Sequence, residues 1–116
     1  MNPNISIVIP VYNGQPYLSK TLSCLKKQSL QNFQVIFVND GSSDDSLKYL
    51  QETAAADSRF LILDQPHRGA GAARNYGLSA ATGDYVLFSD CDDLLQPNAL
   101  ETALPPVASI GSTTNT

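Results

Sequence analysis

The chain has no long apolar run, no basic stripe and few cysteines, and each lack removes a class of function. Its longest apolar stretches are strand-sized, far short of the ~20 residues a membrane-spanning helix needs. The N-terminus, MNPNISIVIP, carries no basic segment ahead of an apolar one, so it has no signal-peptide pattern and a cytoplasmic location is expected. The formal net charge is −4, and Lys26–Lys27 is the only adjacent basic pair. A nucleic-acid binder carries a basic patch, and none is visible. Cys24 and Cys91 sit in unrelated contexts without metal-ligand spacing, so both are expected as reduced, small, partly buried side chains. Neither proline nor glycine is in excess, with seven of each among 116 residues, which leaves one ordinary globular domain with a limited core.

What is present is an alternation of strand and helix patterns. "ISIVIPVY" (5–12) is β-branched and almost continuously apolar, as a strand covered on both faces should be. Pro10 is expected to end its ladder role, with Tyr12 and Asn13 in the loop beyond. Pro16 suits a first helical turn, and Leu18, Leu22 and Leu25 mark an amphipathic helix over roughly 15–28. "FQVIFVND" (33–40) reads as a second buried strand. Ser42 and Asp45 match a capping box for a helix that continues through Leu47, Leu50 and Ala54. "RFLILD" (59–64) is a third strand, "AARNYGLSAA" a helix, and "DYVLFSD" (84–90) a fourth strand. Pro97 fits the start of a short helix stopping by Pro105–Pro106. The order β-α-β-α-β-α-β predicts a parallel sheet with helices on both faces. The polar stretch after Ala108 has no period and is expected to be disordered.

In an open parallel sheet, ligands bind beyond the carboxyl ends of the strands. Tyr12–Asn13, Asn39–Asp40–Gly41–Ser42, the run from His67 to Arg74, and Asp90–Asp92–Asp93 all fall there. Gly69–Ala70–Gly71 hints at a dinucleotide fingerprint. It fails on register, because its sixth position is Arg74 and the glycines follow the third strand. A calcium loop fails because Leu94 stands at a ligand position and the required glycine is missing. Two readings of the acidic run stay open on spacing alone. It is either a D-x-D pair of hard oxygen ligands for Mg²⁺ or Mn²⁺ shared with substrate phosphates, or a solvated turn. His67 and Arg68 read as loop bystanders, Asp84 as a turn residue, Asn75 as structural, and Gly77 as a position of close helix–sheet packing.

The chain closely resembles the start of glycosyltransferase family 2, enzymes of the GT-A (nucleotide-diphospho-sugar transferase) fold. The likeness runs over about residues 5 to 104. It rests on four blocks in order: "SIVIPVYNGQPYL", "QSLQNFQVIFVNDGSSDDS", "GAGAARNYGLSAATGDYVLFSDCDD" and "LLQPNALE". It implies a three-layer α/β/α fold with a mainly parallel, Rossmann-like sheet, here truncated. Residues 1–108 would be the donor-binding part and 109–116 a tail. It implies inverting, metal-dependent transfer from a nucleotide-sugar, a UDP-sugar above all, to a saccharide or lipid-linked saccharide acceptor. Tyr12 would pack on the base, with Pro10 and Val11 lining that loop, and Asp40 would hydrogen-bond the base. Arg74 would lie near the nucleotide or its phosphates. Asp92 would be the first ligand of Mn²⁺ or Mg²⁺ and Asp90 the second, nearer the ribose or sugar, with Asp93 as outer support and Cys91 as the spacer.

Family members continue well past the D-x-D, and that part carries the general base. Glu101 does not match it, so the catalytic base is expected to be absent from this chain. The chain is then either the donor-binding half of a transferase or a non-catalytic nucleotide-binding remnant that associates with a full-length one. A nucleotidyltransferase would want a glycine-rich loop with a basic residue after the first strand, and "PVYNGQPYL" lacks it. Missing flanking strands would expose an edge, which predicts a homodimer or marginal stability. The expected location is cytoplasmic, at or near the membrane's cytoplasmic face.

Overall fold

The structure, a computed structural model, describes residues 5–103. The order of elements is β1 (Ile5–Val11), α1 (Gln15–Lys26), β2 (Phe33–Asp40), α2 (Ser46–Ala56), β3 (Phe60–Gln65), α3 (Ala70–Ser79), β4 (Tyr85–Phe88) and α4 (Ala99–Ala103). The four strands form one sheet in the order β3-β2-β1-β4, and every pairing is parallel. The expected three-layer α/β/α architecture is therefore present. The expected stop at Pro105–Pro106 and the 109–116 tail lie outside the described residues.

Strand alternation assigns the two core faces. Ile5, Ile7, Ile9 and Val11 of β1 and Phe33, Val35 and Phe37 of β2 pack on one side with Leu18, Leu22 and Leu25 of α1, Leu50 of α2 and Leu100 of α4. Val8, Ile36 and Val38 face the other way, against Ala73 of α3. That second layer is thin because α3 comes close. A Cβ on Gly77 would collide with Val8 Cγ1 and sit 3.2 Å from Val38 Cγ2, so glycine is required there for packing.

The sequence places Pro10 at the end of β1's ladder role, whereas the strand runs on to Val11 with Pro10 opposite Val38. The geometry explains why proline is tolerated. Ser89 N–H donates to the Val8 carbonyl at 3.1 Å, so even-numbered positions of β1 turn their polar groups toward β4. The next bond would need an N–H from Pro10, and β4 ends at Phe88.

The capping box is also corrected. The first residue of α2 is Ser46, and no side-chain cap bond forms from Asp45. Ser42 Oγ instead accepts the Asn13 N–H at 2.9 Å, while Asp44 Oδ1 accepts the Ser46 N–H at 2.9 Å. A buried amide, Gln28, clips the last elements to α1. Its Nε2 donates to the Gln96 carbonyl at 2.6 Å, and its Oε1 accepts the Leu100 N–H at 3.1 Å.

Candidate functional site

In the order β3-β2-β1-β4 the chain runs outward from β1 through β2 to β3, then crosses to the other side of β1 for β4. The crevice between the carboxyl ends of β1 and β4 is thus the topological switch point, where open parallel sheets bind ligands. A cavity of about 380 Å³ lies there, lined by Pro10 and Val11 at the end of β1, Tyr12 just beyond it, Asp40 from β2, and Asp90 and Asp92 after β4. Cys91, Gly14, Tyr17, His67 and the start of α3 complete its walls. A larger groove of about 680 Å³ between α1 and α2 lies away from the carboxyl ends of the strands, among Leu22, Lys26, Tyr49 and Glu52.

The fold therefore brings together six of the seven residues expected in the site. The seventh, Arg74, is not part of the wall but reaches it through an ion pair, with Nη2 3.4 Å from Asp90 Oδ1. Both side chains are largely exposed, so the pair contributes little to stability.

Tyr12 leaves the strand 52% exposed, its ring free to meet a flat ligand on the cavity side. One neighbour is already in place: the His67 ring centroid lies 4.3 Å from that of Tyr12, with planes 33° apart. His67, expected as a loop bystander, lines the cavity beside Tyr12. Gly41 allows this approach. It has φ +71°, and a Cβ there would sit 2.6 Å from His67 N.

Asp40 is buried, and its carboxylate is occupied by the chain itself. Oδ1 accepts from Gln65 Nε2 at 2.8 Å and Arg68 N–H at 2.7 Å. Oδ2 accepts from Gly69 N–H at 2.9 Å and lies 3.1 Å from His67 Nδ1. Burial pushes the Asp40 carboxyl upward, but the Arg68 N–H, the Gln65 amide, the Gly69 N–H and the His67 ring outweigh it and hold the carboxyl below its usual value.

These bonds fix the entry to α3. Gly69 caps the helix at φ +100°, and Gly69 and Ala70 both line the cavity. The N-terminal end of α3, with its unpaired N–H groups and positive dipole end, therefore faces the cavity. Sequence reading weighed these glycines only as a dinucleotide fingerprint. The useful signal was simpler, a glycine just ahead of a helix at a strand's carboxyl end.

Asp90, Asp92 and Asp93 are exposed, and each can offer a carboxylate oxygen lying within 4.8 Å of those of the other two. The turn is held by Asp93 N–H donating to the Asp90 carbonyl at 3.0 Å and Asp90 N–H to Asp93 Oδ2 at 3.3 Å. Clustered hard oxygens at an open cavity suit Mg²⁺ or Mn²⁺ with coordination positions left for a ligand. Cys91 does more than space two aspartates. Thr21 Oγ1 donates to its carbonyl at 2.5 Å, and its half-buried side chain packs against the core. Burial, followed by the charges of Asp92, Asp44 and Asp90, pushes its thiol up to about 11, so it stays protonated. Both cysteines are free.

No helix among the described residues is long and apolar enough to cross a membrane.

The model of the family described as glycosyl transferase family 2 matches residues 6–113. An uncharacterized glycosyltransferase of Haemophilus influenzae is 43% identical over 104 residues, covering 88% of this chain and 41% of that protein. Glycosyltransferase GlyA of Streptococcus pneumoniae is 38% identical over 102 residues, covering 88% of this chain and 15% of its own length. The chain thus spans less than half the length of these relatives. Among solved structures, S. aureus TarS 1-349 in complex with UDP superposes with a TM-score of 0.77 at 31% identity, over 89% of this chain and 31% of that one. The same TarS fragment has also been solved in complex with UDP-GlcNAc.

Proposed function

The chain belongs to glycosyl transferase family 2, and on that footing we propose that it holds the donor of a sugar transfer, a nucleotide-diphospho-sugar and specifically a UDP-sugar. The observation that carries this is the cavity between β1 and β4, which gathers an aromatic platform, a helix N-terminus and a carboxylate cluster around one space. TarS, at 31% identity, is solved with UDP and with UDP-GlcNAc, which supports a uridine nucleotide.

In this reading Tyr12 packs on the base and Pro10 and Val11 form the floor beside it. The start of α3 faces the diphosphate, where N–H groups and the dipole favour negative charge. Arg74, beside Asp90, adds positive charge on the same side. Asp92 and Asp90 would hold Mn²⁺ or Mg²⁺, with Asp93 supporting the turn. When bound, such a cation supplies neutralisation of the diphosphate and of the charge on the departing nucleoside diphosphate. Asp40 would hydrogen-bond the base, and its bonds to the Arg68 and Gly69 N–H groups set the loop that carries His67 and Gly69.

Transfer with inversion requires a base to take the proton of the acceptor hydroxyl as it attacks the anomeric carbon. No described residue is assigned that role. Glu101, for one, is engaged at the end of α1, where its Oε1 accepts from Ser29 Oγ at 2.7 Å. The acceptor proposed is a saccharide or lipid-linked saccharide in polysaccharide assembly, met in the cytoplasm or at the membrane's cytoplasmic face. The proposed assembly is a homodimer through the outer edge of β4.

Calorimetric titration with UDP tests the donor site. Binding is expected with Mn²⁺ and is expected to weaken strongly in EDTA, whereas equal binding in both would remove the metal from the proposal. Incubation with UDP-sugars separates transferase from binding module. Release of UDP supports transfer, and tight binding with no release or hydrolysis supports a nucleotide-binding partner of a longer transferase.

A further inference from the structure

We propose that Thr21, in the middle of α1, is a positioning residue for the cation: its hydroxyl sets the peptide that carries Asp92 to the cavity. The inference rests on the donor reading above and adds a residue that lies outside the cavity wall.

Thr21 is a polar side chain in an apolar place. It is 4% exposed and shares the buried face of α1 with Leu18, Leu22 and Leu25. A threonine hydroxyl inside a helix can turn back to the carbonyl four residues earlier. Thr21 Oγ1 instead donates to the Cys91 carbonyl at 2.5 Å, 70 positions along the chain.

The place of that acceptor gives the bond its use. The Cys91 carbonyl belongs to the planar peptide that joins Cys91 to Asp92, so holding its oxygen fixes the direction in which Asp92 leaves. The bonds within the turn act elsewhere. Asp93 N–H to the Asp90 carbonyl and Asp90 N–H to Asp93 Oδ2 tie its two ends, with the Cys91–Asp92 peptide between them. The three carboxylates repel one another, so a tie from outside helps to keep their oxygens within 4.8 Å. A second tie lies further on. Gln28, buried just past the end of α1, donates from Nε2 to the Gln96 carbonyl at 2.6 Å. The segment carrying Asp92 and Asp93 is thus pinned on both sides from one packed element. A cation site needs its ligand oxygens held at fixed spacing, and fastening the turn to a helix supplies that.

The test is calorimetry of UDP binding by the full chain at rising Mn²⁺ and in EDTA. Thr21→Val keeps the branched shape and removes the donor. The Mn²⁺ concentration that half-saturates UDP binding should rise about five- to tenfold in this variant, the worth of one hydrogen bond. Its UDP affinity in EDTA should change by about twofold or less. Thr21→Ser keeps a hydroxyl and should recover most of the Mn²⁺ response. Leu50→Val, a destabilised core variant on α2, should respond to Mn²⁺ as the unaltered chain does. Thermal melts without metal show that each variant is folded at the temperature of titration. Thr21→Ala, which also cannot donate, gives the same reading if Thr21→Val does not fold. An unchanged Mn²⁺ response in folded Thr21→Val, or an equal loss in Leu50→Val, overturns this inference and leaves the donor reading standing. Absence of UDP binding by the unaltered chain overturns both.

Discussion

The Cys91 sulfur rests against the Gly14 carbonyl, and a Cβ added to Gly14 would stand 2.7 Å from that sulfur. The loop after β1 and the acidic turn after β4 are therefore fitted to one another through a glycine and a thiol 77 positions apart. Gly14→Ala should cost about 1–3 kcal/mol, as overpacking does, and should weaken UDP and Mn²⁺ binding by displacing the turn that carries Asp90 and Asp92. In a Cys91→Ala background most of that loss should disappear, because the colliding sulfur is gone. Melting temperatures of the two single variants and the double variant measure the coupling.

Asp92→Ala should abolish Mn²⁺-dependent UDP binding, because Asp92 lines the cavity and belongs to the carboxylate cluster. Asp84→Ala should leave binding within about twofold, since Asp84 is exposed just ahead of β4, at the opposite end of that strand. Calorimetry on both variants makes the comparison. Equal effects would show that bulk negative charge, not the D-x-D geometry, matters.

Stability should fall in acid below about pH 4. Asp40, Asp44 and Asp57 all have carboxyls held below the usual value. For Asp44, burial raises it and the Ser46 hydroxyl and N–H, with the Gln15 N–H, more than offset the rise. Arg59 is the leading cause at Asp57. A folded value below the unfolded one means stability present in full above about pH 4 and lost as pH drops through the folded values. Thermal melts from pH 7 to pH 3 should show this slope. Asp40→Asn should melt lower at pH 7 and show a shallower acid slope, because the charged acceptor of four donors is gone.

The outer edge of β4 should support a dimer. Ser89 N–H turns inward to Val8, so the N–H groups of Val86 and Phe88 turn to the open side, and Phe88 is 41% exposed. Sedimentation of the chain at tens of micromolar should show a dimer, and Phe88→Lys should return it to monomer by placing charge on the edge. A monomer at every concentration would rule out this assembly.

The sequence carried the strands well because all four are short apolar runs between polar loops, and the alternation of β1 and β2 already sorts Ile7 and Phe37 from Val8 and Val38. It placed the acidic turn, Tyr12 and Asp40 on one edge for the same reason. What it could not carry were bonds made across the chain. Ser42 and Asp45 have the spacing of a cap, yet Ser42 is taken by an N–H 29 residues earlier. His67 looks like an isolated loop residue because its partner Asp40 lies 27 positions away, brought close only when β2 and the β3–α3 loop meet. Gln28 gave no signal at all, since its partners at 96 and 100 are adjacent only in space. Local pattern reports periodicity and cannot report which donor wins an acceptor.

Pro10 has a last consequence. The ladder between β1 and β4 would lengthen by one bond if residue 10 could donate to the Ser89 carbonyl, and a pyrrolidine ring forbids it. The backbone ladder between the two strands therefore goes no further at that point. The slot into which a nucleotide would slide thus lies where the ladder has already ended, at a position whose pyrrolidine ring leaves no N–H to extend it. Binding then needs no strands to be prised apart, and its free energy can go to contacts with the ligand.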